Sequence, residues 1–175
     1  MKPTGRVALA WLCAAVIVSG CGGIGLSDTF KGLSEAELVT VKGPPTGRYM
    51  LPHGMQRLEF ARGPQGRQTF MADVDSRGRV TRFEQVLDVR RFALVTPGAT
   101  REGVLRTIGR PSDRASLRDG EIWAWRYPNR DCVWYQVELD EQGVVKATGY
   151  TPEPGCAHTA DAASMRVGAG QARHA

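Results

Sequence analysis

The clearest hydrophobic pattern in the chain predicts a short helix near residue 100. Apolar residues recur with helical spacing from Val104 to Ile108. Thr100 is a good N-cap before this stripe, and Gly109 can take the left-handed conformation that ends a helix. In residues 120–127 the aromatic residues Trp123, Trp125 and Tyr127 then occupy alternate positions, as side chains on one face of a strand do. The pattern therefore predicts a helix over about residues 100–108, followed by a strand.

The same pattern occurs 66 residues upstream. Ser34 corresponds there to Thr100 and Gly43 to Gly109, and the turn residues 75–78 recur at an offset of 65. Two independent motif pairs at nearly one offset indicate an internal duplication. The alternative is two unrelated helix–turn–strand segments that share common capping residues.

The strand patterns after each predicted helix define two similar units. They cover about residues 54–62, 67–75 and 79–87 in the first unit, and about 120–127, 132–140 and 143–151 in the second. We predict an α+β fold of two tandem repeats, each with a short helical segment packed on an antiparallel three-stranded β-meander. The first repeat spans residues 32–88 and the second spans residues 89–151.

The N-terminal segment predicts export and a lipid anchor. Lys2 and Arg6 precede an apolar stretch too short to span a bilayer comfortably. This stretch ends in small residues before Cys21, which resembles the lipobox of bacterial lipoproteins. We expect residues 1–20 to be a signal peptide, Cys21 to carry the lipid, and residues 21–31 to form a tether. The alternative is an ordinary secretory signal in which Cys21 is incidental.

Charge argues against a nucleic-acid partner. The full chain has 23 basic and 18 acidic side chains, a formal net charge of +5. Loss of Lys2 and Arg6 with the signal peptide leaves 21 basic side chains, and 21 minus 18 gives +3. The remaining basic residues are dispersed among acidic ones, whereas a nucleic-acid-binding protein typically has a clustered basic stripe.

Two cysteines remain after the signal peptide and the lipid site. Cys132 and Cys156 form an even pair in an oxidising compartment, where a disulfide bond is the default. A reactive thiol pair is the alternative, although the CxxC spacing typical of such pairs is absent. Residues 152–175 form a tail, and we expect it to be disordered beyond Cys156 because it has little apolar surface to bury.

No pattern in the sequence predicts a catalytic or metal site. The three histidines, His53, His158 and His174, lack metal-ligand spacing. Asp73 and Asp75 lie on one face of a predicted strand, and such a carboxylate pair suits acid–base chemistry. Asp75, however, is part of the repeated turn, where aspartate serves turn geometry. We therefore predict no enzyme activity, no cofactor, no metal and no small-molecule substrate.

A set of aromatic residues predicts a contact surface. Trp123, Trp125 and Tyr127 alternate along one strand and so lie on one face of it. Such residues commonly form a core, but three large rings exceed what one short helix covers. Aromatic residues are also enriched at interface hot spots. We therefore predict that these three residues bind a protein partner, and that Arg48 in the turn after the first helix does so too.

The combination of a lipobox, a capped helix ending in G-x-P and an aromatic hairpin resembles the SmpA/OmlA (BamE) lipoprotein family. The residues that carry the resemblance are Cys21, Gly98, Thr100, Val104, Gly109, Pro111, Trp125 and Tyr127, with Gly32, Ser34, Leu38, Gly43 and Pro45 in the first copy. These proteins are subunits of the outer-membrane β-barrel assembly machinery. They usually contain one copy of the unit, whereas this chain has two.

This resemblance implies a non-catalytic lipoprotein in the outer membrane. Its domain would face the periplasm and assist envelope assembly through an unidentified protein partner. The residue after Cys21 is Gly22, not the aspartate that retains some lipoproteins in the inner membrane. The tandem arrangement is also similar to β-lactamase inhibitor protein, so an inhibitor-type binding module is the alternative function. An envelope enzyme with an unrecognised site is the third.

Overall fold

The structure is a computed structural model that describes residues 29–63 and 65–154. Its elements in chain order are α1 (Glu35–Lys42), β1 (Gly47–Met50), a 3₁₀ turn (Pro52–Gly54), β2 (Gln56–Ala61), β3 (Thr69–Val74), β4 (Val80–Gln85), α2 (Val89–Phe92), α3 (Arg101–Ile108), β5 (Asp113–Leu117), β6 (Gly120–Trp125), β7 (Val133–Asp140) and β8 (Val145–Pro152). Strands β1–β4 form a first antiparallel sheet and β5–β8 a second, each in sequence order.

The predicted helix caps are confirmed. The Ser34 hydroxyl accepts a hydrogen bond from the Glu37 amide, and the Glu37 carboxylate accepts one from the Ser34 amide at 2.7 Å. Thr100 caps α3 in the same way through the amide of Gly103. Each cap satisfies amide groups that have no partner inside the helix.

The predicted fold class is wrong. The structure is dominated by its two four-stranded antiparallel sheets, and neither unit is a short helix on a three-stranded meander. The additional strands are β1 and β5, which lie at the edges of the two sheets. Every residue of β5 is exposed. A fully exposed edge strand has no buried face, so its sequence lacks the alternation by which strands are predicted.

The two halves nevertheless match in detail. Both sheets have a register shift at corresponding points, between Asp73 and Val74 and between Glu138 and Leu139, which are 65 residues apart. In both halves the N-cap of the helix also bridges to the residue just before the last strand of its unit, Ser34 to Arg79 and Thr100 to Val144. Each sheet is therefore attached to the helix that precedes it by the same backbone contact.

The first sheet is covered on both faces. On one face the apolar residues of β2–β4 pack against Leu38 of α1. On the other face Met71 of β3 joins a cluster with Val104 and Ile108 of α3. All six residues of β3 are consequently buried. The helix of the second unit thus lies on the first sheet.

Helix α3 also packs on the second sheet, which belongs to its own unit. Val104 and Ile108 belong to the same cluster as Trp123 and Trp125 of β6. At the end of the helix, the indole N–H of Trp125 donates to the carbonyl of Gly109 at 3.1 Å. The layers therefore run from α1 through the first sheet and α3 to the second sheet.

A buried carboxylate joins the two units. Glu59 of β2 is 0% exposed. It accepts hydrogen bonds from the Tyr49 hydroxyl and, at 3.0 Å, from the backbone amide of Arg110, just beyond α3. Gly109 makes room for this contact, because a Cβ there would lie 3.0 Å from a Glu59 oxygen. A side chain at Gly109 would also be strained at its φ of 78°.

A second contact ties the end of α3 to the first sheet. Arg57 forms a bidentate ion pair with Asp73, with N–O distances of 2.6 and 2.8 Å. Its third nitrogen donates to the carbonyl of Arg106 at 2.9 Å. That carbonyl lies in the last turn of α3, where carbonyl groups have no partner within the helix. The side chains of the first sheet therefore complete the C-terminus of a helix from the second unit.

Replacing Glu59 should destabilise the whole protein. In Glu59→Ala, the partly buried Tyr49 hydroxyl and the Arg110 amide lose their acceptor, and we expect a loss of about 3 kcal/mol in the free energy of unfolding. Glu59→Gln retains an acceptor and should lose less. The measurement is urea denaturation followed by circular dichroism. Glu102→Gln is the control because Glu102 is 69% exposed, and an equal effect of Glu59→Ala and Glu102→Gln would contradict the structural role of Glu59.

Candidate functional site

The aromatic residues predicted to bind a partner lie in the core. Trp123 and Trp125 are 1% and 0% exposed, and Tyr127 is also buried. They pack with the residues of α3 and with Phe92 of α2, whose ring contacts Tyr127 edge-on. Since these rings have almost no accessible surface, they do not form a contact surface in this conformation. The prediction missed that α2 and the first sheet cover them together with α3.

Trp123 is also held by charged neighbours. The guanidinium groups of Arg114 and Arg101 lie 4.5 and 5.8 Å from its ring, and its indole N–H donates to Glu121 at 2.7 Å. Arg101 in turn forms an ion pair with Glu121 at 2.6 Å. Arg114 therefore stabilises the core through its contact with the Trp123 ring.

Arg48, the fourth residue of the predicted contact set, lies on edge strand β1. Its side chain is half exposed and forms an ion pair with Glu35 of α1 at 2.7 Å. The pair connects the first turn of the helix with the edge of its sheet. Arg48 is therefore accessible, and its predicted contact with a partner stays a prediction.

The cysteine predictions fall partly outside the described residues. Cys21 and Cys156 both lie there. Cys132 precedes β7 and is disulfide-bonded, and the predicted pairing with Cys156 stays a prediction. Among residues 29–63 and 65–154, no helix is long and apolar enough to cross a bilayer.

The face of β5–β8 that is turned away from α3, which we call the outer face, has accessible apolar side chains. Trp123 and Val137 pair with each other and point toward α3, so their neighbours along each strand point away. The outer face is formed mainly by Asp113, Ala115, Leu117, Ile122, Ala124, Trp134, Gln136, Glu138, Ala147, Gly149 and Thr151. Five of these residues are alanine, glycine or threonine, which makes much of the face shallow, and two, Asp113 and Glu138, are charged.

Two adjoining depressions lie on the outer face. One has a volume of about 200 Å³ and extends from Ala115 to Pro154, and the other has a volume of about 230 Å³ and extends from Glu138 to Tyr150. Ile122 lies in both depressions. Together they form one continuous shallow groove across the sheet.

One end of the groove contains a buried indole without a hydrogen-bond acceptor. Trp134 is 7% exposed, and its N–H has no partner among the described residues. The guanidinium of Arg126 lies 4.9 Å from its ring. The other end contains the ion pair between Glu138 and Lys146, at 2.7 Å. An occupant of the groove would therefore meet apolar side chains and the amide of Gln136 in the middle, with further polar groups at both ends.

The register shows what corresponds to the outer face in the first sheet. Arg48 pairs with Leu58 as Arg114 pairs with Trp123, which fixes the equivalence of the strands. The equivalent pairs, with the first sheet named first, are Arg57 and Ile122, Glu59 and Ala124, Asp73 and Glu138, and Arg82 and Ala147. The polar residues that receive α3 on the first sheet thus correspond mainly to apolar residues on the second.

A further cavity lies between the two units, with a volume of about 270 Å³. Its hydroxyl groups already have partners within the protein. Thr46 donates to the Glu59 carbonyl at 3.2 Å and accepts from the Ala61 amide at 3.1 Å. Ser112 accepts from the Arg126 amide at 3.1 Å. The hydroxyl groups of Thr46 and Ser112 are thus engaged within their own units. The outer face, in contrast, has an indole N–H without a partner among the described residues, which makes it the better candidate for a functional site.

The two carboxylates considered for acid–base chemistry, Asp73 and Asp75, make structural contacts. The described residues contain no group of three or more potential metal ligands. Asp73 is occupied by its ion pair with Arg57, and Asp75 accepts hydrogen bonds from the amides of Arg77 and Arg79 in a turn. The carboxylate pair considered in the sequence therefore serves the structure at both positions.

The one strongly perturbed ionisable group near the unit interface is Tyr49. Burial raises the pKa of its hydroxyl, and the hydrogen bond to the negatively charged Glu59 raises this pKa further. The neighbouring Arg110 acts in the opposite direction but more weakly. The neutral hydroxyl is thus the form that the folded protein favours.

This pKa shift predicts a loss of stability in alkali. The unfolded-state pKa of tyrosine is about 10. Because the folded-state value is raised, the contribution of Tyr49 is complete below about pH 10 and is lost as the pH rises through the folded-state pKa. In Tyr49→Phe, the urea midpoint should fall less between about pH 8 and about pH 11 than in the wild type. The exposed Tyr150→Phe is the control, and equal pH dependence of Tyr49→Phe and wild type would contradict this assignment.

Comparison with known proteins does not assign the chain to a family. It matches no protein-family model and no curated protein. Among solved structures it is similar to a cysteine-rich secretory protein from Staphylococcus aureus, with 11% identity, a TM-score of 0.30, and coverage of 71% of this chain and 44% of that chain. An extracellular protein containing an SCP domain, from Bacillus anthracis, has 14% identity, a TM-score of 0.28, and coverage of 70% and 44%. The chain thus spans less than half the length of either protein, and TM-scores this low do not show a shared fold.

Proposed function

We propose that this protein is a non-catalytic lipoprotein of the outer membrane that binds a protein partner in the periplasm through the outer face of its second sheet. The observation that carries the proposal is the exposure of a continuous shallow groove whose equivalent on the first sheet is covered by α3. Apolar surface of this kind gains free energy when a partner removes it from water. A role in envelope assembly rests on the sequence resemblance to the SmpA/OmlA family.

The composition of the groove suits a protein partner better than a small molecule. Small-molecule sites are concave and bring several polar groups together. Here Ile122 and Gln136 line both depressions, Ala115 and Ala147 line one each, and the charged groups lie at the margins of the groove. A flat surface with an apolar centre and a polar rim is typical of protein interfaces.

Membrane attachment through Cys21 is a separate part of the proposal. Several acyl chains on one residue hold a protein stably at a bilayer, whereas a single chain holds it only marginally. The tether from residue 21 to residue 31 would place the folded units close to the membrane surface. Such a position suits a protein that acts on other envelope components.

Site-specific cross-linking tests the binding surface. A photoreactive phenylalanine derivative at Ala147, which is exposed on the outer face, should give cross-linked products with protein in intact cells. The same derivative at Arg77, exposed in a turn of the first unit, should give few or none. Absence of products at Ala147, or hydrolysis of a substrate by the purified protein, would overturn the proposed function.

Metabolic labelling tests the anchor. Cells that express the wild type should incorporate an alkyne fatty acid into the protein, and Cys21→Ala should abolish the label, because the thiol is the site of acylation. Separation of inner and outer membranes then locates the labelled protein. Equal labelling of both variants would show that the anchor is wrong without affecting the assignment of the binding surface.

A further inference from the structure

We propose that the occupant of the outer face is helix α1 of a second copy of this chain, seated as α3 is seated on the first sheet. This inference rests on the proposed function, since it names the partner of the same surface. Within one molecule, helix and sheet alternate from α1 to the second sheet. A helix placed on the outer face would continue this established stack of layers.

Helix α1 has an accessible side that corresponds, through the repeat, to the side of α3 that faces the first sheet. Val41 corresponds through the repeat to Thr107, which is partly buried in α3. Val41 itself is 63% exposed, one of the most exposed large apolar side chains of the described residues. On the opposite surface, Leu117 of the outer face is 45% exposed. Two exposed apolar groups thus lie at the two ends of the stack, where a contact between copies would cover both.

One polar contact of the internal interface, between Arg110 and Glu59, is replaced on both surfaces together. Inside the molecule, the amide of Arg110 donates to Glu59. The residue that corresponds to Arg110 is Pro44, which has no amide hydrogen, and the residue that corresponds to Glu59 is Ala124, which offers no acceptor. A copy of the internal interface at the outer face would therefore leave no donor or acceptor unpaired at this point.

The remaining charge on this side of α1 has a partner within its own helix. Glu37 lies one turn before Val41, and its carboxylate accepts hydrogen bonds from the amide and hydroxyl of Ser34, at 2.7 and 2.6 Å. The carboxylate is thus directed back toward the N-cap. Together with the small outer-face residues Ala147 and Gly149, this leaves room for the helix to approach the sheet closely.

The proposed contact is heterologous, because α1 of one copy meets the second sheet of another. Such contacts form open chains of copies when they do not close into a ring. Attachment to a membrane raises the effective concentration of the copies and so favours their association. A lipoprotein that assembles in this way would act as a scaffold at the membrane surface.

Mixing two variants gives the sharpest test. The purified protein from residue 22 onward should show an average mass above one chain by light scattering, rising with concentration. Val41→Glu blocks the helix surface and Ala147→Glu blocks the sheet surface, so each variant alone should be a monomer. Their mixture retains one intact surface of each kind and should form a dimer with twice the mass of one chain. Both positions are exposed, and thermal unfolding monitored by circular dichroism checks that the variants remain folded.

A matched control lies on the same helix. Ala36 corresponds to Glu102, which is exposed in α3, so Ala36→Glu should associate like the wild type. A monomeric wild type at all concentrations, or a mixture that remains monomeric, would overturn the inference. In the cellular cross-linking at Ala147, products within residues 36–44 of a second copy support it. Products only with another protein overturn it while leaving the proposed function in place.

Discussion

The arrangement of the two units depends on one buried carboxylate. Glu59 lies in the middle of the first sheet, on the face that turns toward the second unit. A buried charge is tolerated only when hydrogen bonds replace its water. The Tyr49 hydroxyl comes from the same sheet, but the Arg110 amide comes from the segment that follows α3. The Glu59 carboxylate therefore has both of its hydrogen-bond donors only when the helix of the second unit lies on the first sheet.

The same constraint explains why the two sheets differ although their backbones match. The first sheet offers acceptors and donors to the end of a helix, through Glu59 to an amide and through Arg57 to a carbonyl. At the equivalent positions the second sheet has Ala124 and Ile122. A donor or an acceptor at these positions would not stabilise the second sheet unless the end of a helix with the complementary group lay on its outer face. The duplicated backbone thus presents a polar interface inside the molecule and an apolar surface at its end.

Local features of the fold could be predicted from the sequence, whereas its layers could not. Ser34 and Thr100 cap their helices as predicted because capping depends on residues within one turn. Strands β2–β4 and β6–β8 have a buried face, which produces the alternation from which they were predicted. The edge strands β1 and β5 lack this signal, and their absence from the prediction made the predicted fold class wrong. No local pattern indicates that Glu59, a charged residue in a strand, would be completely buried.

The candidate site was misplaced for a related reason. The prediction assumed that one short helix covers each sheet, so the aromatic residues of β6 seemed too large for their core. The core of the second unit in fact receives Met71, Val86 and Leu87 from the first unit and Phe92 from the connecting helix α2. These residues bury Trp123, Trp125 and Tyr127, and the partly accessible side of the strand is the opposite one, toward which Ile122 points. Alternation along a strand defines two faces, but which of them is covered depends on contacts distant in sequence.

The two cores differ in which parts of the chain contribute their residues, so the two units depend on each other in different ways. The core around Phe83 and Leu38 consists of residues of the first unit together with Phe30, which precedes it. The core around Trp125 is completed by residues of both units. The second unit therefore depends on the first for its apolar contacts, while the first depends on the second mainly to satisfy Glu59 and Arg57. The first unit thus supplies apolar contacts to the second, and the second supplies hydrogen-bond partners to the first. Because a unit of this size has only a marginal core of its own, we expect the two to unfold together.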